Sequence, residues 1–265
     1  MSTRYLTPAQ IETSVPMPES LRPWLTELTA TSVRHDLIQP FAHPPGTATT
    51  VVLRTESSGR TAAFVIGAQT KAAYSQPEKP GGCVRLRVAP GATRQLLGVA
   101  AAELTDRVIP LGDLPGLLSA VAPALTRLTA DEAITRLADA LPRQASESET
   151  LRAHRLVLRE AISVLTANTA QPVSDLAARL AVSERHLRSL FVTGIGLSPK
   201  HFARIARVLR VLAHAGDTPW STLAAEVGYY DQSHLTADFR ALMGVPPGAY
   251  LHGELPHPVR CRATG

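Results

Sequence analysis

The chain has 265 residues, of which 45% are hydrophobic and 18% charged, room for one large or two ordinary domains with a real core. Its net charge of +5 suits a nucleic-acid partner without establishing one. No apolar run approaches the roughly 18–20 residues that span a bilayer, the N-terminus MSTRYLTPAQIETS lacks a signal-peptide core, and Cys83 and Cys261 stand apart. These features argue against a membrane protein, a disulfide framework and a cysteine zinc site, and they lead one to expect a cytoplasmic location.

The nine histidines form no HxH or HExxH arrangement. His35 and His43 could meet across a hairpin, but surface or hydrogen-bonded histidine is the better reading. No metal, cofactor or catalytic residue is expected.

Residues 35–90 mix short β-rich runs with turn residues. TTVVLRT (49–55) and TAAFVIGA (61–68) flank ESSGR and predict a hairpin, and CVRLRVAPG (83–91) alternates like a strand before Pro-Gly. From Leu114 the pattern turns helical, with Leu114, Leu117, Leu118, Val121, Leu125 and Leu128 on one face. That stripe either covers the sheet or forms a dimer contact. Thr129 and Glu132 have capping-box spacing before a second helix, AITRLADAL. PRQASESET (142–150) is polar and unpatterned, and few contacts are expected to cross it. The expected domains are therefore an α+β, β-rich N-terminal domain at 1–142, a linker at 143–150, an all-α domain at 151–253 and a loose tail at 254–265. The first helix of the α domain, 151–167, carries Leu151, Leu158, Ile162 and Leu165 as a stripe.

Two stretches of the α domain repeat each other. LAARLAVSERHLRSLFVTGIGLSPKHF (176–202) aligns with LAAEVGYYDQSHLTADFRALMGVPPGAY (223–250). Leu176, Leu180 and Val182 match Leu223, Val227 and Tyr229 at an offset of 47. Ser183, His186, Leu187, Phe191, Gly196, Pro199 and Phe202 match Asp231, His234, Leu235, Phe239, Gly244, Pro247 and Tyr250 at 48, so one residue is added in the turn. Each copy reads as a helix-turn-helix, whose steep crossing lets the second helix enter a major groove. Ser174 and Ser221 are placed as caps of the first helices, and Ser183 and Asp231 as caps of the second. Gly228 suits a left-handed turn; Ala181 can adopt one only at about 1–2 kcal/mol, unless its turn differs.

The outward faces of the second helices supply the DNA-reading candidates. These are Glu184, Arg185, Arg188 and Ser189 in the first copy, and Gln232, Ser233, Thr236, Ala237 and Arg240 in the second. Arginine can donate twice to guanine, and Gln and Ser can read base edges more weakly. Residues 151–215 hold ten basic and three acidic residues, a surplus of +7, whereas 216–253 hold one and four, a balance of −3. Between the copies, SPKHFARIARVLRVLAHAG (198–216) predicts one helix from Pro199 to Gly216, with Phe202, Ile205, Leu209 and Leu212 inward. Arg204, Arg207 and Arg210 lie on its other side, as phosphate contacts or simply solvated. Ser174, Ser183, Ser221 and Asp231 are further candidates beside the phosphates.

At these residues the sequence resembles the AraC/XylS family of bacterial transcription regulators. The resemblance covers about 151–252 and is most specific in GYYDQSHLTADFRALMGVPPGAY. It implies two helix-turn-helix units joined by a long helix, inserted into successive major grooves on one DNA face. Members often carry arginine at the position of Ala237 and Phe at that of Leu235. The missing arginine, with the −3 balance, predicts weaker binding by the second unit. HPPGTATTVVL, FVIGAQT and VRLRVAPGATRQLLGVAAAELTDRVIPLGDL more loosely resemble a cupin-like sensor domain found before such DNA-binding domains. That implies an effector pocket or a dimerisation surface, with double-stranded DNA, RNA polymerase and a second copy as partners. A regulator controlled by protein–protein contact rather than a small molecule is the alternative. A DNA-repair methyltransferase shares only the helical half, and needs a reactive cysteine and a multi-cysteine zinc site.

Overall fold

The computed structural model describes residues 5–31, 39–56, 61–76, 81–125, 128, 130–144, 148–167, 171–215 and 218–260. The strands are β1 (Thr13–Ser14), β2 (Leu25–Thr31), β3 (Phe41–His43), β4 (Thr50–Glu56), β5 (Thr61–Ile66), β6 (Ala73–Gln76), β7 (Gly81–Val88), β8 (Val108–Pro110) and β9 (Val259–Arg260). The helices are α1 (Thr93–Leu97), α2 (Leu117–Leu125), α3 (Ala130–Gln144), α4 (Glu149–Ala167), α5 (Val173–Arg179), α6 (Glu184–Ile195), α7 (Pro199–His214), α8 (Trp220–Glu226), α9 (Gln232–Met243) and α10 (Pro247–Leu251).

The N-terminal region is sheet-rich and the C-terminal region helical. An antiparallel sheet in the order β1-β2-β7-β4-β5-β8 carries the expected hairpin as β4 and β5, and the expected strand as β7. Alternation sorts its two faces. Val51 and Leu53 sit opposite Leu86 and Val84 on the core face, while Arg54 and Cys83 pair on the other. A second sheet, β3-β6-β9, stands beside it.

Helix α2 begins at Leu117 rather than Leu114, and Leu114 is extended. Gly116 sets that boundary: a Cβ there would lie 2.2 Å from the Leu97 carbonyl carbon, so the backbones touch at a position only glycine fills. The leucine stripe faces inward. Leu114, Leu118 and Leu125 are buried in one core with Leu21, Leu96, Leu137 and the sheet, while Val121 and Leu128 pack against it. Within this chain the stripe packs into the N-terminal core, with Leu117 and Val121 half-buried. The capping residue Thr129, the hairpin tip 57–60, His35, Cys261 and the helix end at Gly216 lie outside the described residues.

A second core lies among α4–α9, built on Leu158, Leu165, Leu176, Phe191, Ile205, Val211, Leu223 and Phe239. The two regions meet closely, contrary to the sparse contact expected from a polar linker. Helix α3 runs on to Gln144 and α4 starts at Glu149, so little of 143–150 is left between them. Gly91 N–H donates to Gly194 O at 3.0 Å, and a Cβ on Gly194 would fall 3.2 Å from Gly91 Cα. Arg155 of α4 donates to Pro23 O and lies over the Trp24 ring, 5.4 Å from its centroid. Part of the supposed loose tail is also placed: Tyr5 donates to Pro256 O at 2.9 Å, and β9 pairs in parallel with β6.

Candidate nucleic-acid interface

The two repeats fold alike, hydrogen bond by hydrogen bond. In α5 and its turn, Leu180 N–H reaches Leu176 O at 3.1 Å, Ala181 N–H reaches Ala178 O at 3.1 Å and Val182 N–H reaches Ala177 O at 3.0 Å. In α8 and its turn the same bonds run from Val227 to Leu223, Gly228 to Ala225 and Tyr229 to Ala224, at 3.1, 3.2 and 2.8 Å. Both turns are left-handed at the same place, with φ of 53° at Ala181 and 83° at Gly228. The first unit therefore keeps the turn and carries the alanine strain. The residue added in the second is Tyr230, 94% exposed at the mouth of the recognition helix. In the sequence the signal of Tyr230 is the change of offset from 47 to 48.

Helices α6 and α9 start as expected. Ser183 Oγ accepts His186 N–H at 3.1 Å, and Asp231 Oδ1 accepts His234 N–H at 2.7 Å. Both end in left-handed glycines, Gly196 and Gly244. The caps of the preceding helices differ from expectation. Pro172 and Pro219 hold those N-cap positions, and Ser174 and Ser221 lie exposed inside the first turns of α5 and α8. Proline presets the backbone there, so the serines are left free of the capping role.

The outward candidates lie on the surface. Arg185, Arg188 and Ser189 are exposed on α6, and Glu184 is half-buried, held by Arg188 at 2.7 Å. On α9, Gln232, Ser233, Ala237 and Arg240 are exposed and line one shallow groove with the partly covered Thr236. The inward sides are closed by Leu187, Leu190 and Phe191 in α6 and by Leu235, Phe239 and Leu242 in α9.

The arginines of α7 are half-buried, and two of them have partners within the helical region. Arg204 makes two contacts to Asp238 Oδ1, at 2.8 Å through Nε and 2.6 Å through Nη2. Asp238 is 7% exposed and also accepts the Tyr229 hydroxyl at 3.3 Å. Arg207 lies over the Tyr229 ring, 4.9 Å from its centroid. Burial, with the Asp238 carboxylate beside it, pushes the Tyr229 phenol well above its usual range, so it stays a donor. This network ties α9 to α7 and gives Arg204 and Arg207 a use other than phosphate contact. Arg210 is half-buried near the C-terminal end of α7. The sequence signal for the network was an aspartate on the apolar stripe Leu235, Phe239, Leu242.

Among the described residues no group of three His, Cys, Asp or Glu is arranged to hold a metal ion. His43 Nε2 is 2.9 Å from Ser75 Oγ; burial and the nearby Arg85 charge lower its pKa to about 4, which keeps the ring neutral. Among the same residues no helix is long and apolar enough to cross a membrane.

Two capped helix-turn-helix units on one connecting helix define a DNA-binding class, and comparison with known proteins agrees. The helix-turn-helix domain family matches residues 176–253. An uncharacterized HTH-type transcriptional regulator, YidL of Escherichia coli K12, is 30% identical over 109 residues, covering 39% of this chain and 36% of that protein. A putative AraC-like transcription regulator of Streptomyces lividans is 34% identical over 88 residues, 32% of this chain and 29% of its own length. The DNA-binding domain of AdpA, solved in complex with a target DNA, aligns with 28% identity and a TM-score of 0.33, over 35% of this chain and 87% of that one. Residues 176–253 thus carry a helix-turn-helix domain. The chain spans about a third of the length of the curated relatives it matches.

Proposed function

We propose that the protein is a sequence-specific, DNA-binding transcription regulator of AraC/XylS type. The observation that carries this reading is the pair of recognition helices with the same turn, the same N-cap bond and the same glycine end, both presenting polar faces. Arg185 and Arg188 supply the main contacts, with Glu184 and Ser189 beside them. Gln232, Ser233, Thr236 and Arg240 read the adjacent groove, and Tyr230 stands where it can pack against the backbone. Ser183 and Asp231 remain near the phosphates through their caps.

Residues 1–142 form the regulatory domain in this reading, 151–253 the DNA-binding domain and 254–265 the tail. An effector bound between the strands of 49–90 controls the protein; a protein partner on the same domain is the second reading. Homodimerisation would raise the effective concentration of the second DNA-binding domain by mass action. RNA polymerase is a further partner under this reading.

Genomic footprinting of the purified full-length chain tests the function. Occupancy concentrated at promoters sharing one sequence supports it. Binding spread evenly over genomic DNA, with no shared sequence, contradicts it.

A further inference from the structure

The last carbonyls of a helix have no partner within the helix. Here those of both recognition helices find donors in the N-terminal region. At the end of α6, the Thr105 hydroxyl donates to Gly196 O at 2.8 Å and Gly91 N–H to Gly194 O at 3.0 Å. At the end of α9, Ala72 N–H donates to Leu242 O and the buried Tyr74 hydroxyl to Met243 O, both at 2.7 Å. Burial raises the Tyr74 phenol far above its ordinary range, which keeps that proton in place.

The donors that hold α6 and α9 are themselves joined. Thr105 belongs to the segment 104–107, and Ala72 and Tyr74 belong to 67–74. Gly67 N–H donates to Arg107 O at 3.1 Å, and Asp106 N–H to Ala68 O at 2.8 Å. The Asp106 carboxylate accepts Thr70 N–H and the Thr70 hydroxyl, each at 2.6 Å. The segments run so close that a Cβ on Gly67 would sit 1.8 Å from Leu104 O. Asp106 is held at φ 57°, one of two non-glycine residues with positive φ among those described. Aspartate tolerates that conformation better than most residues because its short side chain can bond locally.

We propose that segments 67–74 and 104–107 form a bracket that sets the separation of α6 and α9, and with it the spacing between the two DNA sub-sites the protein accepts. The inference rests on the DNA-reading role given above. The connecting helix α7 ties the two recognition helices together once; the bracket ties them a second time through their C-terminal carbonyls. Two ties fix a distance that a single helix leaves free to pivot. The bracket also leaves the reading face open: Arg185, Arg188, Gln232, Ser233 and Arg240 stay exposed while it is closed. Recognition uses the N-terminal residues of such helices, and the bracket grips the opposite ends. The N-terminal domain is therefore a specificity element, and Asp106, Thr105 and Tyr74 are positioning residues that never touch DNA.

The test is selection from a randomised double-stranded DNA library by the full-length chain and by four variants. Asp106→Ala removes the two carboxylate bonds between the segments, leaves their two backbone bonds, and touches neither helix. Tyr74→Phe and Thr105→Val each remove one hydroxyl from a helix end. Asp106→Asn keeps the left-handed tolerance and an acceptor for Thr70 N–H. The wild type is expected to enrich a two-part motif with one spacing. Asp106→Ala and Tyr74→Phe should accept neighbouring spacings, with the preference for the original falling about fivefold to thirtyfold, the range for loss of one or two such bonds. Asp106→Asn should keep the single spacing.

A merely structural role would lower melting temperature and leave the spacing unchanged. Variants that fold, by circular dichroism, and keep the wild-type spacing preference overturn the proposal. If Tyr74→Phe fails to fold, the exposed Asp106→Ala decides. Failure of the wild type to enrich any two-part motif defeats the DNA reading itself, and this inference with it.

Discussion

The two helix-turn-helix units share a backbone and differ in charge, strain and anchoring. The first places an alanine in the left-handed turn where the second has glycine. At the position where α6 buries Leu190, α9 buries Asp238 and bonds it to Arg204 and Tyr229. The first recognition helix offers Arg185 and Arg188 in a segment of +7, and the second offers Arg240 in one of −3. Shared apolar, glycine, proline and capping positions are thus enough to specify one shape twice. The residues that shape leaves free are the ones that can diverge in function.

That contrast can be broken most severely at Asp238. Asp238→Ala leaves Arg204 without its carboxylate and should destabilise the protein by about 2–4 kcal/mol, somewhat less than the roughly 3–5 kcal/mol of a fully buried pair because Arg204 keeps some solvent. Asp238→Leu with Arg204→Leu would convert the second unit to the apolar solution of the first, and should recover most of the loss. Urea denaturation of the three chains measures both effects; equal stability of Asp238→Ala and wild type would mean the network is incidental.

Gly228→Val puts a β-branched residue at φ 83° and should cost about 2–3 kcal/mol in the same assay. An unchanged midpoint would show that the second turn can relax in a way the first does not.

On DNA, the loss of Arg185 or Arg188 to alanine should cost about 1–3 kcal/mol where the side chain makes a bidentate guanine contact. Arg240→Ala should cost less, because its helix carries the acidic balance. Titrations over a range of salt check this, and equal losses from both helices would remove the proposed dominance of the first unit. The smallest effect belongs to Ala181→Gly. Relief of left-handed strain, partly offset by the freedom glycine gains when unfolded, should stabilise the protein by about 0.5–1 kcal/mol. A lower melting temperature would show the alanine turn to be unstrained.

Much of the helical region was legible because its signals are local. The offsets of 47 and 48 located both turns, and the Ser183 and Asp231 caps follow from residue type and position. What was not legible depends on distant partners. Arg204 and Arg207 look like solvated or phosphate-binding arginines until Asp238 and Tyr229 are brought beneath them. The leucine stripe of α2 reads as a helix face in need of a partner, and only the fold supplies Leu21, Leu96 and Leu137 as the residues it packs with. The junction of the two regions gave no signal, because its contacts, such as Gly91 with Gly194, Arg155 with Trp24 and Tyr74 with Met243, join residues far apart in the chain, whose meeting no periodicity encodes. A polar linker says only that its own residues avoid burial, not that the domains on either side stay apart.

The central claim is that both units engage DNA together, and hydroxyl-radical footprinting of the full-length chain on its selected site tests it most directly. The account predicts two protected patches on one face of the duplex, centred about 10 base pairs apart, with Arg185→Ala and Arg240→Ala each raising the protein concentration needed to protect both. A single patch, or two patches on opposite faces of the duplex, would contradict it.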